Sequence, residues 1–467
     1  MSDKLKNKIE LLAPAGSPEK LRWALHFGAD AVYCGVAATS MRARMNPFTE
    51  ESLTRVIKEV HEAGKKIYVT ANIYAHNCHL AQIEEHAKFL EKVRPDAAII
   101  SDPGVINIFK QHAPNVPIHI STQANVTNWQ AAKFWRDLGA ERVVLAREVA
   151  LEDIKEIHAK VPDLELEYFV HGAMCMSYSG RCILSKWMMG RSANLGDCVQ
   201  PCRWAYAQKS QISNDKFQTN FNNQNTNDNE NVKCPPTGEA GKSQNAKCEC
   251  EMQHAGEFKT LSVTELQGRE EIELEEDRHG TYFFNSKDLN LLAHIKDLID
   301  AGVVSLKIEG RNKSVSYVAS VTRAYRKALD AIENGIKAEG MDEVIKEQQS
   351  ELDKLMNRGY TEGFLLGNEP EHNMENSHDE PKYQFVGEVL EVENGKIKAY
   401  VHNHINVGDQ VEIMSPDEIK RAKIEKIYDK DGKEVESAHG GHESLYDIEL
   451  NIPGIEELSL IRKLLIR

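Results

Sequence analysis

Between residues 9 and 308, short apolar runs rich in β-branched residues alternate with longer stretches whose apolar residues recur every three or four positions. The short runs, at 9–12, 31–34, 67–71, 97–100, 118–121, 143–146, 166–170 and 304–308, have the composition of buried strands. The intervening stretches, such as 18–27, 50–63, 80–92, 128–138 and 151–160, have helical period. Strands separated by helices lie parallel, because a tight turn cannot return the chain in the same direction. Eight of them predict an α/β fold, a TIM-type (β/α)8 barrel. A ninth strand-like run, 282–285, falls beside the seventh or eighth unit. A helix over 314–332 places Val318, Thr322, Tyr325, Leu329 and Ile332 on one face as core. Its Arg323, Arg326 and Lys327 lie off that face and read as a solvated surface.

Beyond residue 335 the pattern changes. Residues 336–381 read as a helical and acidic linker, with a turn over 359–364. From Tyr383 the period becomes two, over 384–391, 396–402, 410–414, 423–428, 446–450 and 458–462, with turns at Glu393-Asn394-Gly395 and Lys430-Asp431-Gly432. Residues 382–467 are therefore expected to form a small antiparallel β-barrel domain behind a barrel domain of 1–335. Residues 210–258 fit neither period: 211–233 alone holds eight asparagines and almost nothing apolar. Such a segment buries too little surface to offset its ordering entropy, so it reads as a disordered surface insertion.

Composition narrows the function. The 467 residues carry 57 basic and 72 acidic side chains, a net charge of -15, so the surface as a whole does not advertise a nucleic-acid partner and any RNA contact has to come from a local basic patch. No apolar run is long enough to span a bilayer, and the charged start lacks the apolar core of a signal peptide, which points to a cytoplasmic protein without a membrane partner. Nine cysteines in a reducing compartment are left for metal binding, catalysis or core filling.

In a barrel of this type the functional groups follow the strands. Polar residues recur there: Ala13-Pro14-Ala15-Gly16, Asn72, Ser121-Thr122-Gln123-Ala124-Asn125, Arg147-Glu148 and Lys307-Ile308-Glu309-Gly310-Arg311. Each alone reads as a turn or a helix cap, but their recurrence at one end of successive strands favours a site, with Glu309 and Arg311 weighted most as catalytic residues. After the seventh strand, Cys175, Cys182, Cys198 and Cys202 fall within 28 residues, beside charged or glycine-rich neighbours rather than at core periodicity. Thiolates are soft ligands, and no pair has the short knuckle typical of zinc, so the segment 165–203 reads as an iron–sulfur segment. Arg181, Lys186, Arg191 and Arg203 are expected to form an anion-attracting rim around it, the place for an RNA contact if there is one. His171 is a third catalytic candidate, set against the commoner reading of a packed histidine. Cys234, Cys248 and Cys250, in the insertion, read as incidental thiols.

The pattern Glu167-x-Phe169-x2-Gly172-Ala173-Met174-Cys175-x4-Gly180-x-Cys182-x-Leu184-Ser185 resembles the signature of the peptidase U32 family at every fixed position. Gly196-Asp197-Cys198-Val199-Gln200-Pro201-Cys202-Arg203-Trp204 and the C-terminal β-module are similar to the branch of that family that hydroxylates tRNA. The resemblance implies an oxygen-independent hydroxylation of the wobble uridine to 5-hydroxyuridine, the first step toward 5-oxyacetyluridine. It also implies a 4Fe-4S cluster, prephenate as co-substrate and the tRNA anticodon loop as partner. Sister branches hydroxylate ribosomal RNA, and the family name carries the alternative of a collagenase-like peptidase. No His-Glu-x2-His or Gly-x-Ser-x-Gly motif supports the latter.

Replacing residues 210–258 with a short Gly/Ser linker is expected to leave the thermal midpoint within about 2 °C of the parent, because a segment of this composition contributes no core. A larger drop in a calorimetric scan would show that the segment packs on the rest of the chain.

Overall fold

The computed structural model describes residues 8–36, 39–40, 48–175, 177–178, 182, 184–189, 201–203, 206–208, 259–265, 271–277, 280–281, 286–370, 382–393, 395–441 and 444–465. Eight parallel strands close into a barrel: Glu10–Pro14, Ala31–Cys34, Lys66–Thr70, Ala97–Ile100, Ile118–Ile120, Arg142–Val144, Glu165–Ala173 and Val303–Ile308. Closure comes from the pairing of the eighth strand with both the first and the seventh. Helices cover the outside, and several start where the sequence places a cap. Ser17 accepts the amide of Lys20 with Pro18 in the first turn, Thr49 and Ser52 cap each other, and Asp102 accepts the amide of Val105 ahead of Pro103.

Inside the barrel, Leu12, Ala31, Tyr33, Tyr68, Ala97 and Ile99 pack as one apolar cluster. Toward the amino ends of the strands the filling turns ionic. Arg142 of the sixth strand bonds Glu10 of the first and, at 3.1 Å, Glu167 of the seventh. Strands one and six are not neighbours in the sheet, so the Arg142–Glu10 bond crosses the interior. Ser305 donates to both carboxylates at 2.9 and 3.2 Å, Tyr68 donates to Glu10 at 2.6 Å, and Lys307 reaches Glu167 at 2.7 Å. All these groups are buried, Glu167 completely. Burial by itself would raise the Glu167 carboxyl, but the charges of Lys307 and Arg142 outweigh it and hold the group below its ordinary range.

Two further strands add to the barrel sheet beside the seventh. Asp288–Asn290 runs antiparallel beside the end of that strand, Asn290 opposite His171, and Tyr360–Thr361 adds in parallel to its other edge. The strand-like run 282–285 lies outside the described residues. Residues 204–283 form a unit of their own. Its strands Tyr206–Gln208, Lys259–Glu265, Glu271–Asp277 and Gly280–Thr281 make an antiparallel sheet that the periodicity had not suggested. The first two pair with Tyr206 opposite Glu265. The stretch 210–258 between them also lies outside the described residues.

The C-terminal strands Tyr383–Glu393, Lys396–Val401, Gln410–Met414, Ile419–Tyr428, Leu445–Leu450 and Leu460–Leu464 close into a second, antiparallel barrel. It has its own core, including Val386, Ile397, Ile413, Ile424 and Ile448. Trp23, Phe27, Val315 and Ala319 of the large barrel's helices pack against its Met414 and Leu460. This seat corrects one expectation: Arg323 is not on a solvated face but buried, with its Nε donating to the Ser415 carbonyl at 2.9 Å. Arg326 is likewise engaged, by Asp30, Asp330 and Glu333. The helix Val315–Glu333 is covered on more than one side, so its polar positions serve packing. The helix Ala338–Leu352, in the stretch read as a linker, buries Gln348 and Leu352. Among the described residues no helix is long and apolar enough to cross a membrane.

Arg142→Met is expected to destabilise the fold by about 3–5 kcal/mol, because it leaves Glu10 and Glu167 buried without their shared cation. Denaturant titration checks this, and a loss below about 1 kcal/mol would mean that the two carboxylates find other partners or water.

Candidate active site

The carboxyl ends of the strands carry the polar groups that the sequence placed there, and the folding of three loops brings them together. Arg311 follows the eighth strand, and its guanidinium donates to Ser40 Oγ at 2.9 Å and Thr70 Oγ1 at 3.1 Å, which belong to the second and third units. Thr70 in turn donates to the Cys34 carbonyl and meets Ser40 Oγ. Two glycines make the approach possible. A Cβ on Gly16 would stand 1.8 Å from the Arg311 carbonyl oxygen. Gly172, at φ 118°, follows a register shift of the seventh strand against the eighth, and a Cβ there would stand 2.7 Å from the Glu309 carbonyl oxygen.

Along the inner wall, cations and rings alternate. The Arg147 guanidinium lies 4.0 Å from the Phe169 ring centre, and the Lys307 amine 5.5 Å from the same ring and 4.4 Å from that of Tyr33. The Arg311 guanidinium lies 5.6 Å from the Tyr33 ring centre. The Tyr33 hydroxyl donates to the Ile308 carbonyl at 3.0 Å, fixing the ring. Burial lowers the Lys307 ammonium from its ordinary value, with the Glu167 charge opposing that shift. A second polar group joins the third and fifth units: Asn72 Nδ2 donates to Ser121 Oγ at 3.4 Å, and Ser121 meets Gln123 Oε1 at 3.3 Å. Guanidinium forks backed by aromatic faces suit a planar, anionic ligand, and the amide and hydroxyl group suits one with its own donors and acceptors.

Of the expected catalytic residues, Glu309 and Arg311 are both buried beside this wall. His171 is placed differently. Its carbonyl accepts the Glu309 amide, but its ring is packed among Tyr317, Tyr325 and Tyr360, and Nδ1 lies 3.4 Å from the Tyr325 hydroxyl. Burial pushes the imidazole down to about 4, with the Asp288 charge opposing, so the ring is neutral at pH 7. That is the environment of a packed histidine.

Cys175, just past the end of the seventh strand, is exposed, while Cys182 and Cys202 are half-buried, and among the described residues none of the three is in a disulfide. The helix Leu184–Met189 lies against the turn Pro201–Arg203 that carries Cys202. Lys186 is exposed on that helix, and Arg203 has its backbone in the turn. Cys198, Arg181 and Arg191 lie outside the described residues. The donor chemistry of these thiols fits an iron–sulfur cluster. Their arrangement does not yet close on one: among the described residues no three His, Cys, Asp or Glu side chains gather as a metal site. Sequence reasoning missed the Ser40–Thr70 clamp and the buried Glu10–Arg142 bond. Charged residues inside otherwise apolar strands, Glu10 in the first and Arg142 in the sixth, were the available signal for the latter.

Fold and mouth together define a (β/α)8 barrel whose carboxyl face gathers cations, aromatic rings and a cysteine-bearing segment. Residues 16–375 match the model of peptidase family U32 and residues 381–462 that of its C-terminal domain, and the chain belongs to this family. It is 39% identical over 475 residues to the tRNA hydroxylation protein P of Haemophilus influenzae, covering 98% of this chain and 96% of that one. It is 39% identical over 453 residues to the Escherichia coli protein of the same name, covering 95% of each. An Escherichia coli 23S rRNA 5-hydroxycytidine synthase is 31% identical over 421 residues, 88% of this chain and 53% of that one.

The neutral His171 gives a testable pH dependence. Its folded value lies below the ordinary 6.5, so below that pH the unfolded chain takes up a proton that the folded chain refuses. His86 and His119, also lowered by burial, act in the same direction. Stability is therefore complete above about pH 6.5 and falls as the pH drops toward about 4. His171→Gln should flatten that fall by up to about 1.4 kcal/mol per pH unit in urea titrations. A slope equal to the parent's would show that the imidazole is accessible to protons in the folded state.

Proposed function

We propose that this protein hydroxylates RNA, and that its substrate is tRNA, whose wobble uridine it converts to 5-hydroxyuridine at the anticodon loop. The reading includes prephenate as co-substrate and a 4Fe-4S cluster held by Cys175, Cys182, Cys198 and Cys202. The observation that carries it is the row Arg147, Phe169, Lys307, Tyr33 and Arg311 in the barrel mouth, in a chain aligned over nearly its whole length with two proteins named for tRNA hydroxylation.

An enzyme acting on a base has to take that base out of its stack, and single-stranded loops allow this at the lowest cost. In this reading the uracil enters the mouth and meets the Asn72, Ser121 and Gln123 group along its polar edge. Arg147 and Arg311 hold carboxylate or phosphate oxygens, with the aromatic faces of Phe169 and Tyr33 fixing the direction of each cation. Lys186 and Arg203, with Arg181 and Arg191, draw in the backbone of the loop. The cluster supplies one-electron chemistry when bound. The peptidase reading would need a nucleophile beside a base, and the neutral ring of His171 faces tyrosines instead.

Mass spectrometry of tRNA nucleosides from a deletion strain tests the reaction, with loss of 5-hydroxyuridine derivatives expected. Complementation with Arg311→Glu should restore less than about 1% of the wild-type level, given the several kcal/mol that a reversed charge costs in a buried polar site. In anaerobically purified protein, Cys175→Ala and Cys202→Ala should each lower bound iron. Undiminished 5-hydroxyuridine in a deletion strain with no second copy of the gene would end the assignment. Undiminished iron would remove the mutated cysteine from the ligand set.

A further inference from the structure

The loop after the third strand carries aromatic rings into solvent at the edge of the mouth. Tyr74 is 57% exposed, His76 is exposed as well, and His79 is half-buried. The rings follow one another, with centres 5.9 Å apart for Tyr74 and His76 and 5.7 Å for His76 and His79. A single exposed tyrosine on a loop is ordinary. This series differs because the backbone holds it in place. The Ala71 amide donates to the Ile99 carbonyl at 2.9 Å and the Ile73 amide to that of Thr39 at 3.1 Å, while Ala75 packs against the barrel core. The turn Asn77–His79 then closes on itself: the His79 amide donates to the His76 carbonyl at 2.8 Å and the His76 amide to His79 Nδ1 at 3.0 Å. We propose that this loop is a stacking platform for the nucleotide next to the reacting base, with its base on Tyr74 and its phosphate at His79. The inference rests on RNA being the substrate class.

The loop starts inside the mouth. Thr70 bonds Arg311 and Asn72 bonds Ser121, and Tyr74 stands two residues beyond Asn72, at most about 7 Å along the chain. Thr39, which holds the Ile73 amide, precedes Ser40, the other hydroxyl partner of Arg311. A strand that turns one base inward toward Asn72 therefore brings a neighbouring nucleotide over Tyr74. Stacking on an aromatic ring is indifferent to the identity of the base, because every base has a π-face. That suits a position that supports the strand beside the base being read.

The phosphate end follows from the tautomer of His79. Its Nδ1 accepts the His76 amide, so the lone pair is engaged there and in the neutral ring the hydrogen sits on Nε2. That N–H meets no acceptor among the described residues. The helix Leu80–Val93 begins at the next residue with no acidic side chain in its first turn, so its positive end reinforces the donor. A protein partner fits less well. A stable protein interface takes roughly 800 Å² from each side, whereas three rings on one loop, tilted by 61° and 52° to one another, offer room for a single nucleotide.

Binding of unmodified tRNA by the full-length protein, followed by fluorescence anisotropy over a salt series, tests the platform. Tyr74→Ala removes an exposed ring that supports no core, so the fold is kept. It should weaken binding by about 5-fold or more, the usual share of one stacked base, and by the same factor at every salt concentration, because no cation is lost. Tyr74→Phe restores the ring and should recover most of that affinity. His79→Asn keeps an acceptor for the His76 amide but removes the outer N–H, and should weaken binding about 10-fold, as expected for a lost hydrogen bond to a charged group. Phe134→Ala removes a ring that is 54% exposed on the helix Trp129–Asp137 and should change nothing. A protein that hydroxylates tRNA while its Tyr74→Ala and His79→Asn variants bind as the parent does would overturn the platform and leave the reaction standing. Tyr74-dependent binding by a protein that hydroxylates no tRNA would support the platform and end the reaction assignment. Unchanged RNA binding with loss of a dimer in the Tyr74→Ala protein, read by sedimentation velocity, would assign the rings to a second copy of the chain and overturn the platform. A parent protein that binds no RNA would overturn both.

Discussion

The bond between Arg142 and Glu10 crosses the inside of the large barrel, and the order of that interior follows from it. A charge in a closed barrel has no water to turn to, so it has to be met by an opposite charge with further hydrogen bonds. Glu167 supplies the second carboxylate, Ser305 and Tyr68 the remaining donors, and Lys307 the second cation. Five strands are tied by one set of bonds. Because Glu167 holds the Lys307 amine, that amine stands between the rings of Tyr33 and Phe169 and sets their spacing for Arg147 and Arg311 above. The floor of the barrel thus fixes the geometry of its mouth.

At the mouth the constraint passes from charge to backbone. Arg311 reaches Ser40 and Thr70 because Gly16 leaves room for its carbonyl, and Glu309 packs over Gly172, where a Cβ would collide with it. These contacts link loops from the first, second, third, seventh and eighth units. The polar residues at successive strand ends are therefore one assembly rather than a series of independent turns.

Much of this was legible in the chain. The eight barrel strands and the six C-terminal ones stand where period and β-branched content put them, because both are buried elements with strong local patterns. What could not be read depended on contacts between distant segments. Arg323 sits off the apolar stripe of its helix, and only the arrival of Ser415 from the C-terminal barrel makes its position an interior one. His171 has the sequence context of a catalytic residue, yet tyrosines from two later segments enclose its ring. The sheet over 206–281 carries acidic strands such as Glu271–Asp277, whose charges mask the alternation that would have announced them. Ser40 and Thr70 are small hydroxyl residues with no signature of their own, so their hold on Arg311 appears only in three dimensions.

The pairing of Tyr206–Gln208 with Lys259–Glu265 brings the two ends of the stretch between them to one place on a sheet. For a chain closed in this way, the entropy of closure rises only with the logarithm of the length enclosed, about 0.6 kcal/mol for each doubling. Length at this point is therefore nearly neutral to the fold. It is a position where a lineage can gain or shed sequence with little thermodynamic consequence, and where a reporter domain with adjacent termini could be carried without disturbing the barrel.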